Sequence, residues 1–278
     1  MATTTDTNIK RPLHLAKHDH YMHHIYNEKT GKKETIDNLR QCVHKIIWER
    51  ALSKEWGHLA SGTLDNPFGT EIIEFTYKIE VPGDRDVTYA SFVCDYRPLK
   101  DDPYRVRIVV GGDQLSYNEN AASPAASLLE TKIILNSTIS DAERGAKFVT
   151  ADIKDYFLAT PMSRPEYMKV LIKYFPDDII KKYDLNKKVA SDGYVYIKIN
   201  KGMYSLKQAA ILAYDQLVKK LKPFGYYPAP HTSGLWKHES RKTRFCLCVD
   251  DFGIKSFSQN DTDHLLMPSN QNIPYQLI

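Results

Sequence analysis

Apolar residues recur with two different periods along the chain, and the two periods predict a mixed α/β protein. From Thr35 onward the apolar positions follow helical spacing, which predicts one amphipathic helix that continues through Leu52 and Trp56. Thr35 is the expected N-cap of this helix. We expect the helix to pack on the main body through a set of apolar side chains: Ile36, Leu39, Val43, Ile46 and Ile47.

Three runs rich in β-branched and aromatic residues predict strands at residues 71–81, 88–96 and 104–110. The segment RPLKDDP between the last two, at residues 97–103, predicts a turn that carries Arg97 and Lys100. Because side chains alternate across a strand, Arg105 and Arg107 share one face. Such a basic hairpin suits a polyphosphate or a nucleic-acid backbone, and a solvated charged face is the plain alternative.

The second half of the chain is predicted to alternate helices and strands. Residues 122–138 predict a helix with Leu128, Leu129, Ile133 and Ile134 on one side. Phe148 and Val149 predict a buried strand that delivers Asp152 at its end, and residues 194–199 predict another strand. Residues 205–221 predict a helix that Ser205 caps and that Pro223 and Gly225 end.

The segment FCLCVDDFGIK, at residues 245–255, is the strongest chemical signal in the chain. Two adjacent carboxylates, Asp250 and Asp251, interrupt an apolar run typical of strands, so they are expected where one strand turns into the next. Burying two like charges is costly unless a positive group neutralises them. Hard divalent cations prefer carboxylate oxygens, so the pair indicates a metal-dependent enzyme.

Composition narrows the class of protein only moderately. The chain has 278 residues, 42% of them hydrophobic, and a net charge of +4, which allows one large domain or two ordinary ones and is compatible with a nucleic-acid partner. The four cysteines form no CxxC pair, which predicts reduced thiols and an intracellular protein. No apolar run reaches membrane-span length, so no membrane partner is expected.

Three features then follow in order: Asp152 at the end of a strand, Gln208 at the start of a helix, and the Asp250–Asp251 turn. Two-metal phosphoryl transfer needs carboxylates that converge from separate strands. Lys207 and Gln208 are expected in the first helical turn, where free backbone N–H groups can meet an anionic ligand.

Four segments resemble the reverse transcriptases of copia-type long-terminal-repeat retrotransposons. ADIK with FL at residues 151–158 resembles the first carboxylate motif, and GMYSLKQA at 202–209 resembles the YGLKQA segment. CVDD at 248–251 resembles the YVDD box, and YRVRIVVGG at 104–112 is similar to a YKARLV-type fingers strand. The resemblance covers roughly residues 50–265, with Cys248 in place of the usual Tyr and Ser205 in place of the usual Gly.

The resemblance implies a right-hand polymerase of α/β (α+β) class, with an antiparallel palm sheet backed by helices. The implied divisions are an N-terminal extension at residues 1–50, fingers at 51–145, a palm at 146–266 and a divergent tail at 267–278. The family continues beyond this point into a thumb, so the chain resembles a truncated copy of a retrotransposon polyprotein.

The resemblance also implies residue roles. Asp152, Asp250 and Asp251 would be the catalytic, metal-binding carboxylates for Mg²⁺ or Mn²⁺. The expected nucleotide contacts are Lys100, Arg105, Arg107, the backbone at Ile153, the ribose gate Phe157, and Gln208. The implied partners are an RNA or DNA primer–template and deoxynucleoside triphosphates.

Three functions remain open from the sequence. The first is RNA-directed DNA synthesis at a primer 3′-OH. The second is a catalytically inactive remnant that only binds nucleic acid. The third is a metal-dependent phosphohydrolase, for which the sequence offers no obvious water-activating histidine near the motifs. The oligomeric state is not predicted.

Overall fold

The computed structural model describes residues 23–27, 31–158, 160–232, 234–270 and 275–277. Half of the N-terminal extension predicted at residues 1–50 and part of the predicted tail at 267–278 therefore lie outside the described residues. The helices are α1 Ile36–Leu39, α2 Lys45–Leu59, α3 Leu128–Ser140, α4 Asp177–Tyr183, α5 Leu185–Lys188, α6 Ala209–Leu221 and α7 Gln259–Asn270. The strands are β1 His23–His24, β2 Ile73–Thr76, β3 Val87–Tyr96, β4 Tyr104–Val110, β5 Lys147–Ile153, β6 Pro161–Leu171, β7 Tyr194–Lys201, β8 Tyr226–Pro228, β9 Leu235–His238, β10 Arg244–Cys248, β11 Asp251–Ser256 and β12 Tyr275–Leu277.

The described strands form two sheets, which agrees with the predicted mixed α/β class. In the first sheet the order is β1-β3-β6-β7-β2, and β4 pairs with β3. In the second sheet the order is β12-β5-β11-β10-β9-β8. The pairing of β3 with β6 is parallel, and the pairings within the second sheet are antiparallel. The predicted site aspartates lie in the second sheet, and the basic hairpin lies in the first.

Each sheet has its own hydrophobic core. In the first, Trp48, Leu52 and Trp56 of α2 are fully buried in the same cluster as Val106 and Ile108 of β4. In the second, α6 and α7 cover the sheet, and the buried cluster joins strand and helix residues: Ala151, Ile153, Leu217, Phe245, Leu247, Phe252, Ile254 and Leu265. None of the helices in the described part of the chain is both long and apolar enough to cross a membrane.

The single helix predicted from Thr35 is wrong, because the chain forms two helices there. Thr35 does cap α1, since its hydroxyl accepts the N–H of Asn38. The sulfur of Cys42 then accepts the N–H of His44 at 3.3 Å, a local bond that replaces helical bonding. The break changes which face is buried, so that Val43 is 92% exposed and Ile46 is 76% exposed.

The helix predicted at residues 122–138 begins later, at Leu128. Ser127 accepts the N–H of Glu130, and the Glu130 carboxylate accepts the N–H of Ser127, so a capping box fixes the start. The predicted apolar face is mostly wrong. Ile134 is buried, whereas Leu128, Leu129 and Ile133 are exposed.

The helix predicted from Ser205 begins instead at Ala209, and Ser205 does not cap it. Ser205 has a φ of +71°, and Gln208 occupies the N-cap position without a side-chain bond to the helix. The predicted end is confirmed. Pro223 lies in a 3₁₀ turn at Lys222–Phe224, and Gly225 follows it in the left-handed conformation.

The strand predictions agree better with the structure. The strand predicted at 104–110 has the observed bounds, and the one predicted at 88–96 begins one residue earlier. The strand predicted at 71–81 is shortened to Ile73–Thr76, because Glu80 accepts the N–H of Tyr77 and closes a 3₁₀ turn. The strand predicted at 194–199 continues two residues further, to Lys201.

Candidate active site

Two neighbouring strands bring the predicted aspartates to one end of the second sheet. β5 and β11 pair antiparallel, and in their register Asp251 lies opposite Asp152. The N–H of Ile153 donates to the carbonyl oxygen of Asp250 at 2.9 Å, which fixes the turn against the end of β5. The register thus holds carboxylates from two strands at paired positions. Asp250 and Asp251 lie where one strand turns into the next, as the sequence predicted.

A strained two-residue turn carries the aspartate pair. Cys248 of β10 and Asp251 of β11 are register partners, so Val249 and Asp250 form the loop of this hairpin. Val249 has a φ of +63°, a conformation that tight hairpins normally give to glycine. Because a β-branched residue at positive φ is costly, the surrounding structure must hold it in place. Such strain is typical of functional sites.

Burial and mutual repulsion act together on the carboxylates. Burial, followed by the charges of Asp251 and Asp155, raises the pKa of Asp152. Burial also raises the pKa of Asp250, and the charges of Asp251 and Asp152 add to the effect. Asp251 itself is exposed to solvent. A site of this kind gains free energy when a positive group approaches it.

The donor chemistry of this site suits a hard divalent cation. The available ligands are carboxylate oxygens, which Mg²⁺ and Mn²⁺ prefer. Burial, followed by the charges of neighbouring carboxylates, raises the pKa values of Asp152 and Asp250. Across the described ranges, no three carboxylate, imidazole or thiol groups are close enough to form a ready-made cation site. Metal binding by Asp152, Asp250 and Asp251 therefore stays a prediction.

The basic hairpin of β3 and β4 extends toward these aspartates. Lys100 lies exposed in the turn, and its charge partly offsets the raised pKa of Asp152. Arg105 donates to the Tyr204 hydroxyl at 3.5 Å, whereas Arg107 pairs with the buried Asp95 carboxylate at 3.0 Å. The hairpin thus brings positive charge to the same region, although Arg107 already has an acidic partner.

Arg97 is a basic residue of this hairpin that the sequence did not single out as a site residue. Burial, followed by the charge of Arg105, lowers the pKa of Arg97. This effect shows that the two guanidinium groups lie within electrostatic range of each other. Their closeness in the sequence, at the turn and at the start of β4, was a signal for this proximity, but only the pairing of β3 with β4 gives the register.

Ile153 and Phe157 occupy the segment that follows Asp152. The Ile153 side chain is fully buried, and its N–H is already bonded to the Asp250 carbonyl. Phe157 is partly buried and packs against both hydrophobic clusters. Gly202 lies so close to the Phe157 carbonyl oxygen that a Cβ at that position would collide with it. The nucleotide-binding roles of Ile153 and Phe157 stay predictions.

Gln208 lies in a buried polar network. Its side chain is 6% exposed, and its amide donates to Glu166 at 3.0 Å. Glu166 in turn pairs with Arg85 at 2.8 Å. These three side chains line a cavity of about 320 Å³. The neighbouring Lys207 donates to the carbonyl of Leu115, so both polar side chains predicted to meet an anion have protein partners.

A histidine that the sequence did not single out lies beside the segment that follows Asp152. His58 lies in α2, and its Nε2 is 3.4 Å from Oδ1 of Asp155. Asp155 has a φ of +55° and follows Asp152 by three residues. The charge of Asp155 contributes to the raised pKa of Asp152. No periodicity in the sequence links α2 to this loop, so only the tertiary structure identifies the pair.

Comparisons with known proteins give structural likeness only. No family model and no curated protein matches the chain. It is similar to the apo telomerase of Candida tropicalis truncated from its C-terminal domain, with a TM-score of 0.41, 12% identity and coverage of 84% of this chain and 55% of that one. It is similar to the prototype foamy virus protease–reverse transcriptase, with a TM-score of 0.38, 13% identity and coverage of 74% and 21%. It is also similar to the telomerase of Candida albicans in complex with a fragment of telomeric RNA, with a TM-score of 0.41, 10% identity and coverage of 74% and 43%.

The chain spans about half or less of the length of the solved proteins it resembles. TM-scores below 0.5 and identities of 13% or less do not establish a shared family. Function must therefore be inferred from the chain's own residues, above all from the aspartates that β5 and β11 bring together.

Proposed function

We propose that the chain is the fingers-and-palm core of a copia-type reverse transcriptase, which adds deoxynucleotides to a primer 3′-OH. The observation that carries this proposal is the register of β5 with β11, which sets Asp251 opposite Asp152 with Asp250 in the adjoining turn. Carboxylates supplied by separate strands are what two-metal nucleotidyl transfer requires. The ordered sequence motifs at these positions support the same function.

In this proposal Asp152 and Asp250 hold the divalent cations, and Asp251 is an accessory carboxylate. Burial and mutual repulsion destabilise the charged forms of Asp152 and Asp250. A bound cation would offset this cost, so its binding to these two carboxylates is favourable. When bound, Mg²⁺ or Mn²⁺ would lower the pKa of the primer hydroxyl and would stabilise the leaving pyrophosphate.

The basic hairpin provides the charge for the incoming deoxynucleoside triphosphate. Lys100 is exposed and within electrostatic range of Asp152, so it is the best placed of the three predicted hairpin residues. Arg105 can leave its long 3.5 Å contact with the Tyr204 hydroxyl at little cost. Arg107 binds the triphosphate only if it also leaves Asp95, so we assign it the weaker role.

The ring of Phe157 is proposed to contact the sugar and to exclude a ribose 2′-OH. Gly202 packs so closely against the Phe157 carbonyl oxygen that no Cβ fits at residue 202, and this close packing favours a rigid gate. Gln208 contacts the nucleotide only after its amide leaves Glu166, and the Ile153 N–H only after it leaves the Asp250 carbonyl. The proposed macromolecular partner is an RNA or DNA primer–template, for which the net charge of +4 is suitable.

Primer extension with Mg²⁺ or Mn²⁺ tests the proposed reaction. Asp250→Asn is expected to lower the extension rate by about 100-fold or more, because loss of a metal-binding carboxylate costs several kcal/mol of transition-state stabilisation. The matched control is Asp263→Asn, which neutralises an exposed carboxylate of α7 that bonds to Gln259. The control is expected to extend the primer at the wild-type rate.

Equal extension by the wild type and by Asp250→Asn is incompatible with the proposal. Salt-dependent binding of the primer–template without extension would instead support the alternative of an inactive remnant.

The structure does not favour the phosphohydrolase alternative. His58 is the histidine that it brings beside the motifs, but the bond to Asp155 raises the pKa of His58. A protonated imidazole cannot accept a proton from water, and the pairing with Asp155 favours that form of His58. Nuclease activity without added nucleotide would be the signature of that alternative.

A further inference from the structure

The ion pair between His58 and Asp155 connects a fingers helix to the segment that follows Asp152. His58 lies in the last turn of α2, with Nε2 3.4 Å from Oδ1 of Asp155, and both side chains are partly buried. Asp155 lies just beyond β5, so the pair joins two elements that the sequence does not connect. A contact of this kind fixes where the segment lies relative to α2.

The backbone of Asp155 is strained, so a neighbouring contact must hold it in place. Its φ of +55° is in the left-handed region, which aspartate adopts more readily than most residues but still at a cost. The side chain on that strained residue is bonded to His58, so the ion pair stabilises the conformation that the loop needs. The loop continues to Phe157, the residue proposed to gate the sugar.

The charges around the pair explain why a cation is needed at His58. Asp155 lies close enough to Arg105 of β4 that the arginine helps to lower the pKa of Asp155. An unpaired Asp155 would compete with a triphosphate for Arg105 and would repel the phosphates directly. A protonated His58 removes both effects.

The charged groups that act on His58 are Asp155, Glu55 and Lys154. The hydrogen bond that His58 donates to Asp155 raises the pKa of His58, and burial opposes this effect. The charges of Asp155 and Glu55 raise the pKa further, and the charge of Lys154 lowers it. Glu55 belongs to α2 itself, and burial raises its pKa. For Asp155, burial alone would raise the pKa, but the bond and charge of His58, together with the charges of Lys154 and Arg105, outweigh burial, so the pKa is lowered. The pairing thus favours the charged form of both partners.

We propose that His58 is a positioning residue for the incoming triphosphate, which neutralises Asp155 and holds the loop after Asp152 against α2. This inference rests on the proposed polymerase function. It assigns a role to two side chains that the sequence motifs do not include, and it places one determinant of nucleotide affinity in α2.

The pair makes nucleotide binding depend on pH with a definite sign. Because the pKa of folded His58 is raised above its ordinary value of about 6.5, the imidazolium is present below that ordinary value and is lost as pH rises through the raised pKa. The KM for deoxynucleotide is therefore expected to increase as pH rises through this range.

Steady-state primer extension with a varied deoxynucleotide tests the role of His58. His58→Ala is expected to raise KM about tenfold with little change in kcat, since it removes one charge-assisted contact. His58→Gln keeps an N–H donor but cannot carry the charge, so its KM should be raised and should lose the pH dependence described above. The double variant His58→Ala/Asp155→Asn is expected to recover most of the lost affinity, because it removes the uncompensated carboxylate.

Ser53→Ala is the matched control within the same helix. Its hydroxyl bonds to Asp178 of α4, so the variant removes a polar contact of α2 that does not involve the loop after Asp152. Its KM should equal that of the wild type, and thermal unfolding of all variants shows whether they fold. If His58→Ala fails to fold, the pH profile of His58→Gln provides the test.

The possible outcomes separate the two proposals. If the wild type extends the primer and the His58 variants keep its KM and pH profile, the role of His58 is refuted while the polymerase function stands. If the double variant shows no recovery of affinity, neutralisation of Asp155 is refuted. If the wild type neither extends a primer nor binds deoxynucleotide, both proposals are overturned together.

Discussion

Single residues at the aspartate turn carry strain that the sequence does not reveal. The motif CVDD predicts a turn, yet nothing in it indicates that valine takes a φ of +63°. The same holds for Asp155 and Ser205, whose φ values of +55° and +71° also lie beside proposed site residues. Strained backbone at these positions fits a turn and loops that are held in place for binding rather than for stability.

Replacement of Val249 by glycine should stabilise the protein by about 1 kcal/mol. Glycine relieves the left-handed strain of about 1–3 kcal/mol, which exceeds the added chain entropy of about 0.5–1 kcal/mol. Val249 is also 46% exposed, so little packing is lost. Urea unfolding measures the change in the free energy of unfolding.

The same substitution at Val43 is the control. Val43 is 92% exposed and is not among the residues with positive φ, so Val43→Gly should destabilise slightly through chain entropy alone. If both variants lose the same stability, Val249 is not strained.

At the scale of helices and strands, the sequence predicts strands better than helix ends. Alternation along β4 reflects its alternating burial, so the pattern and the fold agree over 104–110. Helix starts depend on capping contacts that can form at several polar residues, as Ser127 and Ser205 illustrate. The exposed faces of α2 and α3 show the same limitation, because helical spacing does not specify which neighbours pack against a helix.

Ser127→Ala should destabilise the protein by about 1 kcal/mol, because it removes the capping box at the start of α3. Ser127→Asp keeps an acceptor for the Glu130 N–H and should retain most of the stability. Thermal unfolding of the two variants compares them directly. An alanine variant as stable as the aspartate variant would show that this cap does not stabilise α3.

At the scale of the whole molecule, the candidate site lies between two hydrophobic cores. The second sheet supplies the aspartates, and the first supplies the basic hairpin, with Phe157 in contact with both clusters. The sequence motifs identified Asp152, Asp250, Lys100 and Arg105, which the structure brings into electrostatic range of one another or of Asp155. They could not identify His58, because its partner is distant in the chain and the contact exists only after α2 packs.

The basic hairpin and the aspartates lie on different sheets, so substitutions at the two places should affect different steps of the proposed reaction. Substitutions in the hairpin should change nucleotide affinity, because the hairpin supplies positive charge. Substitutions of the aspartates should change the rate of the chemical step. This separation follows from the placement of the two groups on different sheets.

Incorporation of a single deoxynucleotide opposite a defined RNA template base tests the central claim most directly. With Mg²⁺ or Mn²⁺ present, the wild type is expected to add only the complementary nucleotide, and Asp152→Asn is expected to lose this addition by about 100-fold or more. Absence of templated addition by the wild type, or equal addition by Asp152→Asn, would contradict the proposed polymerase function.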